Sequence, residues 1–249
     1  MIPVLLLKES GLVKTVKFSN ARYIGDPLNA VRIFNEKEVD ELVVLDIDAS
    51  LNSVGPNFDL VKELASECFM PLAYGGGISH VDEAVKLFGL GVEKVILRTS
   101  AARNLQIVSE IAEVAGESSV AVCVDVDVTK LGIRFLHSPG TKLHKDRDIG
   151  SFVKAAERAG AGEILLNSVS RDGTQRGLDL ELISSVTACV RIPVVAVGGV
   201  GSLGDISDGV QAGASGVGVG SLFVFHGSRR AVLISYPSYD DLRELLGEK

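Results

Sequence analysis

The sequence predicts an α/β protein, a (β/α)8 TIM barrel built of two duplicated half-barrels, with all 249 residues in one domain. The first observation is an internal repeat, because residues 71–77 and 193–199 carry related sequences 122 residues apart. A constant offset without gaps is typical of a duplicated half-fold, and it places the half-barrels at about residues 1–118 and 119–249. Further pairs at this offset are Asp26 and Asp148, Val31 and Val153, Glu41 and Glu163, Gly91 and Gly213, and Thr99 and Ser221.

The second observation is the composition of the apolar residues. Hydrophobic residues make up 46% of the chain, whereas aromatic residues make up 5% and tryptophan is absent. The core must therefore consist mainly of Val, Ile, Leu and Ala, as parallel strands buried on both faces require.

The third observation is the strict alternation of short apolar runs with segments of helical periodicity, which predicts parallel strands joined by right-handed helical crossovers. Eight such units favour a closed barrel over an open sheet of five or six strands. The predicted strands are residues 2–7, 42–47, 71–74, 94–97, 120–126, 163–167, 193–197 and 216–219. The predicted helices are residues 27–38, 57–68, 81–90, 104–114, 150–159, 179–189, 203–212 and 239–248.

Charge and cysteine content argue against several classes of function. The net charge of −7 is unlike that of a nucleic-acid-binding protein, which needs a basic stripe. The three cysteines lack metal-binding spacing, the histidines form no i,i+4 pair, and no P-loop or dinucleotide fingerprint is apparent, so we expect neither a metal nor a cofactor. The apolar run at residues 2–7 is too short to span a membrane and no basic segment precedes it. We therefore expect a cytoplasmic protein that does not associate with membranes.

Two segments exceed ordinary connector length, residues 8–26 after the first strand and residues 127–147 after the fifth. They occupy equivalent places in the two halves. Loops longer than about 12–15 residues are uncommon unless they are functional or disordered. We expect both to rise from the C-terminal face of the barrel as lids or walls of a substrate site.

Glycines directly follow the third and seventh predicted strands, Gly76 and Gly77 in the first case and Gly198 and Gly199 in the second. Without Cβ atoms, backbone N–H groups can approach phosphate oxygens there, although glycine can also serve only to make a tight turn. Because the two pairs are related by the repeat and lie beside paired hydroxyls, we predict two phosphate-binding sites, as suits a ligand with a phosphate at each end.

The paired hydroxyls are those of Thr99 and Ser221, at the ends of the fourth and eighth strands. Each hydroxyl can cap the following helix or bind phosphate, and the two roles are compatible. Residues 171–174, which follow the sixth strand, are a candidate third wall of the site beside Ser221, but alone they read as an ordinary turn.

Carboxylates occur at the ends of two predicted strands. Asp125 and Asp127 end the fifth strand and share one face, so either this pair or Val126 points inward. A partly buried carboxylate at the top of a barrel strand is a candidate general acid or base, and Asp125 is our candidate catalytic residue. Asp46 and Asp48 are similar, but for them a loop-capping role is favoured.

Charged residues begin three alternate strands: Glu41, Lys94 and Glu163. Alternate strands contribute to common layers inside a barrel, so these side chains are placed to form a mutually neutralised ring at its N-terminal end that gates a passage. The alternative is that they are exposed charges on the rim.

Taken together, these motifs resemble the cyclase subunit of imidazole glycerol phosphate synthase. The resemblance runs from Ile2 to about His226. It implies a (β/α)8 barrel of two half-barrels that receives ammonia at its N-terminal face from a glutaminase subunit and conducts it through the interior to a bis-phosphorylated ribulosyl nucleotide. The stretches that carry the resemblance are residues 39–46, 74–78, 160–166, 171–174 and 192–195.

The resemblance also implies roles for individual residues, in agreement with the candidates above. Asp125 matches one of two catalytic aspartates, and Lys14 matches a lysine of a substrate loop. Gly77 and Thr99 match one phosphate site of the family. Glu41, Lys94 and Glu163 match the charged gate through which ammonia enters the barrel. The second phosphate site is matched by Asp172, Gly173, Gly199, Gly220 and Ser221.

Two departures from the family pattern affect the expected chemistry. Leu6 occupies the place of the second catalytic aspartate, on the first strand. Leucine cannot transfer a proton, and an acid–base group typically contributes roughly 10²–10⁴-fold to a rate. Arg98 stands where the family usually has an asparagine in the first phosphate site.

Residues 4–8 resemble a branch of the family linked to surface-polysaccharide genes, in which the barrel and a glutaminase supply ammonia to a sugar amidotransferase. The resemblance therefore predicts an ammonia-channelling barrel with a glutaminase partner, a phosphorylated small-molecule ligand and a sugar amidotransferase downstream. One alternative is a genuine cyclase of histidine biosynthesis that tolerates Leu6. Another is a non-catalytic barrel that senses a phosphorylated ligand and activates the glutaminase.

Overall fold

The computed structural model describes residues 1–137, 148–227 and 229–247. Its strands are β1 (Ile2–Lys8), β2 (Gly11–Val16), β3 (Ser19–Gly25), β4 (Leu42–Asp46), β5 (Leu72–Gly75), β6 (Lys94–Leu97), β7 (Val120–Val128), β8 (Arg134–Leu136), β9 (Glu163–Ser168), β10 (Val194–Val197), β11 (Gly216–Val219), β12 (Phe225–His226) and β13 (Ala231–Val232). Its α-helices are α1 (Pro27–Glu36), α2 (Phe58–Glu67), α3 (Val81–Gly89), α4 (Thr99–Arg103), α5 (Gln106–Ala115), α6 (Ile149–Arg158), α7 (Leu180–Thr187), α8 (Leu203–Gln211) and α9 (Tyr239–Leu246).

Eight parallel strands form a closed barrel in the order β1, β4, β5, β6, β7, β9, β10 and β11. The barrel closes because β11 pairs in parallel with β1, with Ile2 opposite Gly218 and Pro3 opposite Val219. The predicted (β/α)8 TIM barrel is therefore confirmed, and each predicted strand lies within two residues of an observed one.

Alternation along the strands divides the core into two layers. On β1, Ile2 and Val4 join the cluster inside the barrel, with Leu6 packed against it, whereas Leu5 and Leu7 face the surrounding helices. The interior is thus filled by aliphatic side chains, as a barrel of this size requires.

The repeated aspartates Asp26 and Asp148 have the same structural role in the two halves. Asp26 accepts a hydrogen bond from the Asn29 backbone N–H at 2.9 Å, and Asp148 accepts one from the Ser151 N–H at 2.7 Å. Each carboxylate accepts a hydrogen bond from a backbone N–H group that would otherwise be unpaired at the start of its helix. The two aspartates are therefore equivalent N-caps of α1 and α6.

The segment at residues 8–26 forms a β-hairpin rather than an irregular loop. β1 pairs antiparallel with β2 through Leu6 and Val13, and β2 pairs with β3, so the barrel sheet extends above its C-terminal rim. In the other long segment, β8 pairs antiparallel with β7, and residues 138–147 lie outside the described residues.

The predicted helices are confirmed to within two residues, except that residue 248 of the last one also lies outside the described residues. The short helix α4 was not predicted. In the part of the chain that the structure describes, no helix is long and apolar enough to cross a membrane.

Candidate functional site

A cavity of about 690 Å³ opens at the C-terminal ends of the barrel strands. All eleven candidates predicted for this face line it: Asp125, Lys14, Gly76, Gly77, Thr99, Asp172, Gly173, Gly198, Gly199, Gly220 and Ser221. The hairpin of β2 and β3 contributes one wall through Thr15, Phe18 and Asn20. The floor is apolar and is formed by Val4, Leu6, Leu45, Ile96, Leu165 and Val197.

Asp125 lies in the cavity lining near the end of β7 and is 4% exposed. Its carboxylate forms an ion pair with the Arg98 guanidinium and accepts a hydrogen bond from Asn167 Nδ2 at 3.1 Å. A buried carboxylate requires such partners, because desolvation of an unpaired charge costs several kcal/mol. Arg98 therefore forms an ion pair with Asp125, the residue that the sequence predicts to be the general acid or base.

Leu6 reaches the same cavity from β1, which is separated from β7 by three strands in either direction around the barrel. Its side chain packs against the interior cluster beside Leu45 and Val197. The position across the cavity from Asp125 thus presents an aliphatic surface, on which no proton transfer is possible.

Asp46 fits the loop-capping interpretation, whereas Asp48 pairs with a lysine. Asp46 Oδ1 accepts hydrogen bonds from the backbone N–H groups of Asp48 at 3.1 Å and Ala49 at 3.0 Å. Burial raises the pKa of Asp46, and these two N–H groups partly oppose that effect. Asp48 forms an ion pair with Lys8 at 3.6 Å.

The first glycine-rich corner of the cavity contains Gly76, Gly77 and Thr99. Gly77 has φ +72°, and a Cβ there would lie 2.7 Å from the Val54 carbonyl oxygen, so only glycine fits this approach of two backbones. Thr99 begins α4 directly after Arg98. This corner can therefore offer backbone N–H groups, a hydroxyl and a guanidinium to an oxyanion.

The second glycine-rich corner contains Gly173, Gly198, Gly199, Gly220 and Ser221. Lys14 enters it from β2 and donates a hydrogen bond to the Val4 carbonyl oxygen at 2.6 Å. A Cβ on Gly220 would lie 2.6 Å from Lys14 Nζ, so the absence of a side chain at Gly220 makes room for the ammonium.

Asp172 faces Lys14 in this corner and accepts a hydrogen bond from Thr15 Oγ1 at 3.1 Å. Burial lowers the pKa of Lys14 to about 8, although the charge of Asp172 opposes this effect. Burial raises the pKa of Asp172, and Lys14 partly offsets that rise. The two side chains therefore interact electrostatically in this corner.

Glu41, Lys94 and Glu163 meet at the opposite end of the barrel. Lys94 Nζ lies 3.0 Å from Glu41 Oε1 and 3.0 Å from Glu163 Oε2. The three side chains are 15–19% exposed and are thus not free charges on the rim. Burial alone would lower the pKa of Lys94, but the two glutamates outweigh it and raise that pKa.

Sequence reasoning missed the roles of Arg98 and Asn167. Arg98 was noted only as a departure from a family pattern, and its pairing with Asp125 was not predicted. Asn167 could have been found from the alternation of β9, because it lies two residues beyond Leu165 on the inward face. Within the described ranges, no group of three or more His, Cys, Asp or Glu side chains is arranged to hold a metal ion.

The fold and the cavity are those of a (β/α)8 barrel whose ligand site lies at the C-terminal ends of its strands. A model of the histidine biosynthesis protein family matches residues 1–229. The chain is 49% identical over 243 residues, covering 97% of both chains, to the Pseudomonas aeruginosa protein "Putative imidazole glycerol phosphate synthase subunit hisF2". It is 37% identical over 223 residues, covering 90% of this chain and 89% of the relative, to the Exiguobacterium sibiricum "Imidazole glycerol phosphate synthase subunit HisF". The chain belongs to the HisF family of imidazole glycerol phosphate synthase subunits.

The Glu41–Lys94–Glu163 cluster gives a stability prediction. In Lys94→Met the two glutamates lose their shared cation, and we expect the free energy of unfolding at pH 7.5 to fall by about 3 kcal/mol. The loss should be smaller at pH 5, because burial raises the pKa of Glu163 and its protonation relieves the repulsion. The loss should largely disappear when Glu41→Gln and Glu163→Gln are added. Urea unfolding measures all three effects, and an equal loss at both pH values would contradict the arrangement.

Lys14 gives a pH prediction. Between about pH 8 and pH 10.5 the unfolded chain holds a proton that folded Lys14 has released, so the free energy of unfolding rises with pH in that window. Lys14→Met lacks this contribution. Between pH 7.5 and pH 10, wild-type stability relative to Lys14→Met should therefore increase by about 2 kcal/mol in urea unfolding. A difference that does not change with pH would refute this, and Lys17→Met, an exposed lysine of the same hairpin, is the control.

Proposed function

We propose that this chain is an ammonia-channelling barrel that pairs with a glutaminase subunit and passes ammonia on for the amidination of a surface-polysaccharide sugar. The observation that carries the proposal is the state of the two positions at which cyclisation would need an acid and a base. Leu6 cannot exchange a proton, and the carboxylate of Asp125 is held by Arg98. The cavity keeps the glycine-rich corners expected of a phosphate-binding barrel but has lost the paired acid–base groups.

The interior of the barrel supports a role in conducting ammonia. Between the Glu41–Lys94–Glu163 cluster and the cavity, the inward-facing side chains are small or aliphatic. An apolar lining disfavours charged ammonium and tolerates neutral ammonia, because burial of an unpaired cation is costly. The inward-facing residues are Ile2, Val4, Val43, Ala73, Ile96, Ala121, Cys123, Leu165 and Val195.

The charged cluster at the N-terminal end supports the placement of the glutaminase on that face. Lys94 bridges two carboxylates across the end of the apolar interior. Ammonia that enters there must pass this cluster, so a partner that displaces Lys94 would control entry. In this proposal Glu41, Lys94 and Glu163 are the gate.

The sequence of β1 supports the assignment to the polysaccharide branch. Residues 4–8 resemble that branch, in which the barrel delivers ammonia to a separate sugar amidotransferase. A barrel with this role needs its interior passage and its glutaminase face, but it does not need a carboxylate in place of Leu6.

The second candidate is a genuine imidazole glycerol phosphate synthase cyclase. Asp125 is retained, and both glycine-rich corners line one cavity, as a bis-phosphorylated ribulosyl nucleotide would require. A third candidate, a non-catalytic barrel that senses a phosphorylated ligand and activates the glutaminase, rests on the same corners.

The experiment that tests the proposal measures cyclase turnover of the purified chain with the bis-phosphorylated ribulosyl nucleotide and excess ammonium salt, which bypasses any glutaminase. We expect no measurable turnover, because Leu6 leaves Asp125 without a second proton-transfer group, whether or not a bound phosphate displaces Arg98. Turnover within about tenfold of an ordinary enzyme rate, with a median kcat of about 10 s⁻¹, would make the chain a cyclase and refute the proposal.

A further inference from the structure

We propose that Arg98 is a phosphate-binding residue that exchanges partners, being held by Asp125 until a phosphate group in the Gly76–Gly77–Thr99 corner competes for its guanidinium. The inference rests on the phosphorylated ligand of the proposed function and names the residue that senses it. Four observations on Arg98 carry it: the hydrogen bonding of its guanidinium, its exposure, its packing and its position.

The ion pair with Asp125 leaves the guanidinium incompletely satisfied. Arg98 Nε and Nη2 are buried, and neither has a hydrogen-bond partner among the described residues, although Nε lies in ion-pair contact with Asp125 Oδ2. A guanidinium offers five donors in a planar fork that matches two oxygens of a phosphate. A phosphate group can therefore supply hydrogen bonds that Asp125 does not supply.

Exposure differs sharply between the two partners. The Arg98 side chain is 29% exposed, whereas that of Asp125 is 2% exposed. A ligand entering the cavity thus meets Arg98 before it can reach Asp125. If the guanidinium moves away, Asp125 Oδ1 still accepts hydrogen bonds from Asn167 Nδ2 at 3.1 Å and from the Cys123 thiol at 3.7 Å.

The packing around Arg98 allows the side chain to move. Its guanidinium carbon lies over the Phe18 ring, 5.8 Å from the ring centre, in a cation–π contact, which does not itself occupy a hydrogen-bond donor of the guanidinium. A small void of about 20 Å³ borders both Arg98 and Asp125. The void holds about one water molecule, so a guanidinium that leaves Asp125 must move into the 690 Å³ cavity that Arg98 also lines.

Arg98 lies beside the corner of the cavity that the phosphate would occupy. It directly precedes Thr99, and both residues line the cavity with Gly76 and Gly77. At pH 7.5 a phosphate monoester carries nearly two negative charges, against one for Asp125. The ligand is therefore the stronger competitor for the single guanidinium.

Isothermal titration calorimetry at pH 7.5 and constant ionic strength tests the exchange, with inorganic phosphate in one arm and ribose 5-phosphate in the other to separate free phosphate from a phosphate ester. Arg98→Gln should weaken binding by about tenfold, and Arg98→Lys, which keeps the charge but not the fork, by less. Asp125→Asn should strengthen binding by roughly three- to tenfold, because it frees the guanidinium. When Arg98→Gln is already present, Asp125→Asn should have no further effect.

Asp127→Asn is the matched control, because it removes the same charge from the same strand, where Asp127 faces His137 at 3.7 Å rather than Arg98. Its effect on affinity should be less than twofold. If the wild type binds phosphate but Asp125→Asn strengthens that binding no more than Asp127→Asn does, the partner exchange is refuted, although the proposal of a phosphorylated ligand still stands. Absence of binding in both the wild type and Asp125→Asn would overturn the phosphorylated ligand as well.

Discussion

A carboxylate enclosed at the C-terminal end of a barrel strand must find a partner, because solvent no longer stabilises its charge. In this chain the partner of Asp125 is Arg98, which reaches it from the end of the neighbouring strand β6. The arrangement of the cavity depends on this pair: it covers Asp125, places a guanidinium beside Thr99 and gives Phe18 of the hairpin a cation to contact. Each of these consequences distinguishes a binding cavity from one equipped for proton transfer.

The polarity of the barrel interior changes along its axis. A compact charged cluster at the N-terminal end is followed by an aliphatic section and then by a cavity whose walls include both glycines and charged side chains. Leu6 belongs to the aliphatic section, since it continues the inward-facing series of Ile2 and Val4. The substitution therefore extends the apolar lining to the base of the cavity, which is consistent with the passage of neutral ammonia and with the loss of acid–base chemistry from β1.

The alternation of short apolar runs with helical segments, together with the internal repeat, was sufficient to predict the barrel strands, because parallel strands buried on both faces have continuous apolar sequences. They also predicted the glycine-rich corners and the Glu41–Lys94–Glu163 cluster, whose residues lie at equivalent ends of the strands. The pairing of Arg98 with Asp125 could not be predicted, since it depends on the side-chain conformations of residues at the ends of two neighbouring strands. The β2–β3 hairpin was recognised only as a long segment, because β2 includes the buried polar residues Lys14 and Thr15 and β3 is largely exposed, so neither strand has a continuous apolar sequence.

The proposed function requires that Leu6 removes one proton-transfer group and that Arg98 restrains the other, while the barrel and its cavity are intact. The most direct measurement compares ammonium-driven cyclase turnover in Leu6→Asp, in Arg98→Asn and in the variant that combines both. We predict turnover in the combined variant that exceeds the turnover of either single variant, because Leu6→Asp supplies the second carboxylate, whereas Arg98→Asn frees Asp125 without a phosphate having to displace the guanidinium. A combined variant that folds normally and has no turnover would contradict the account.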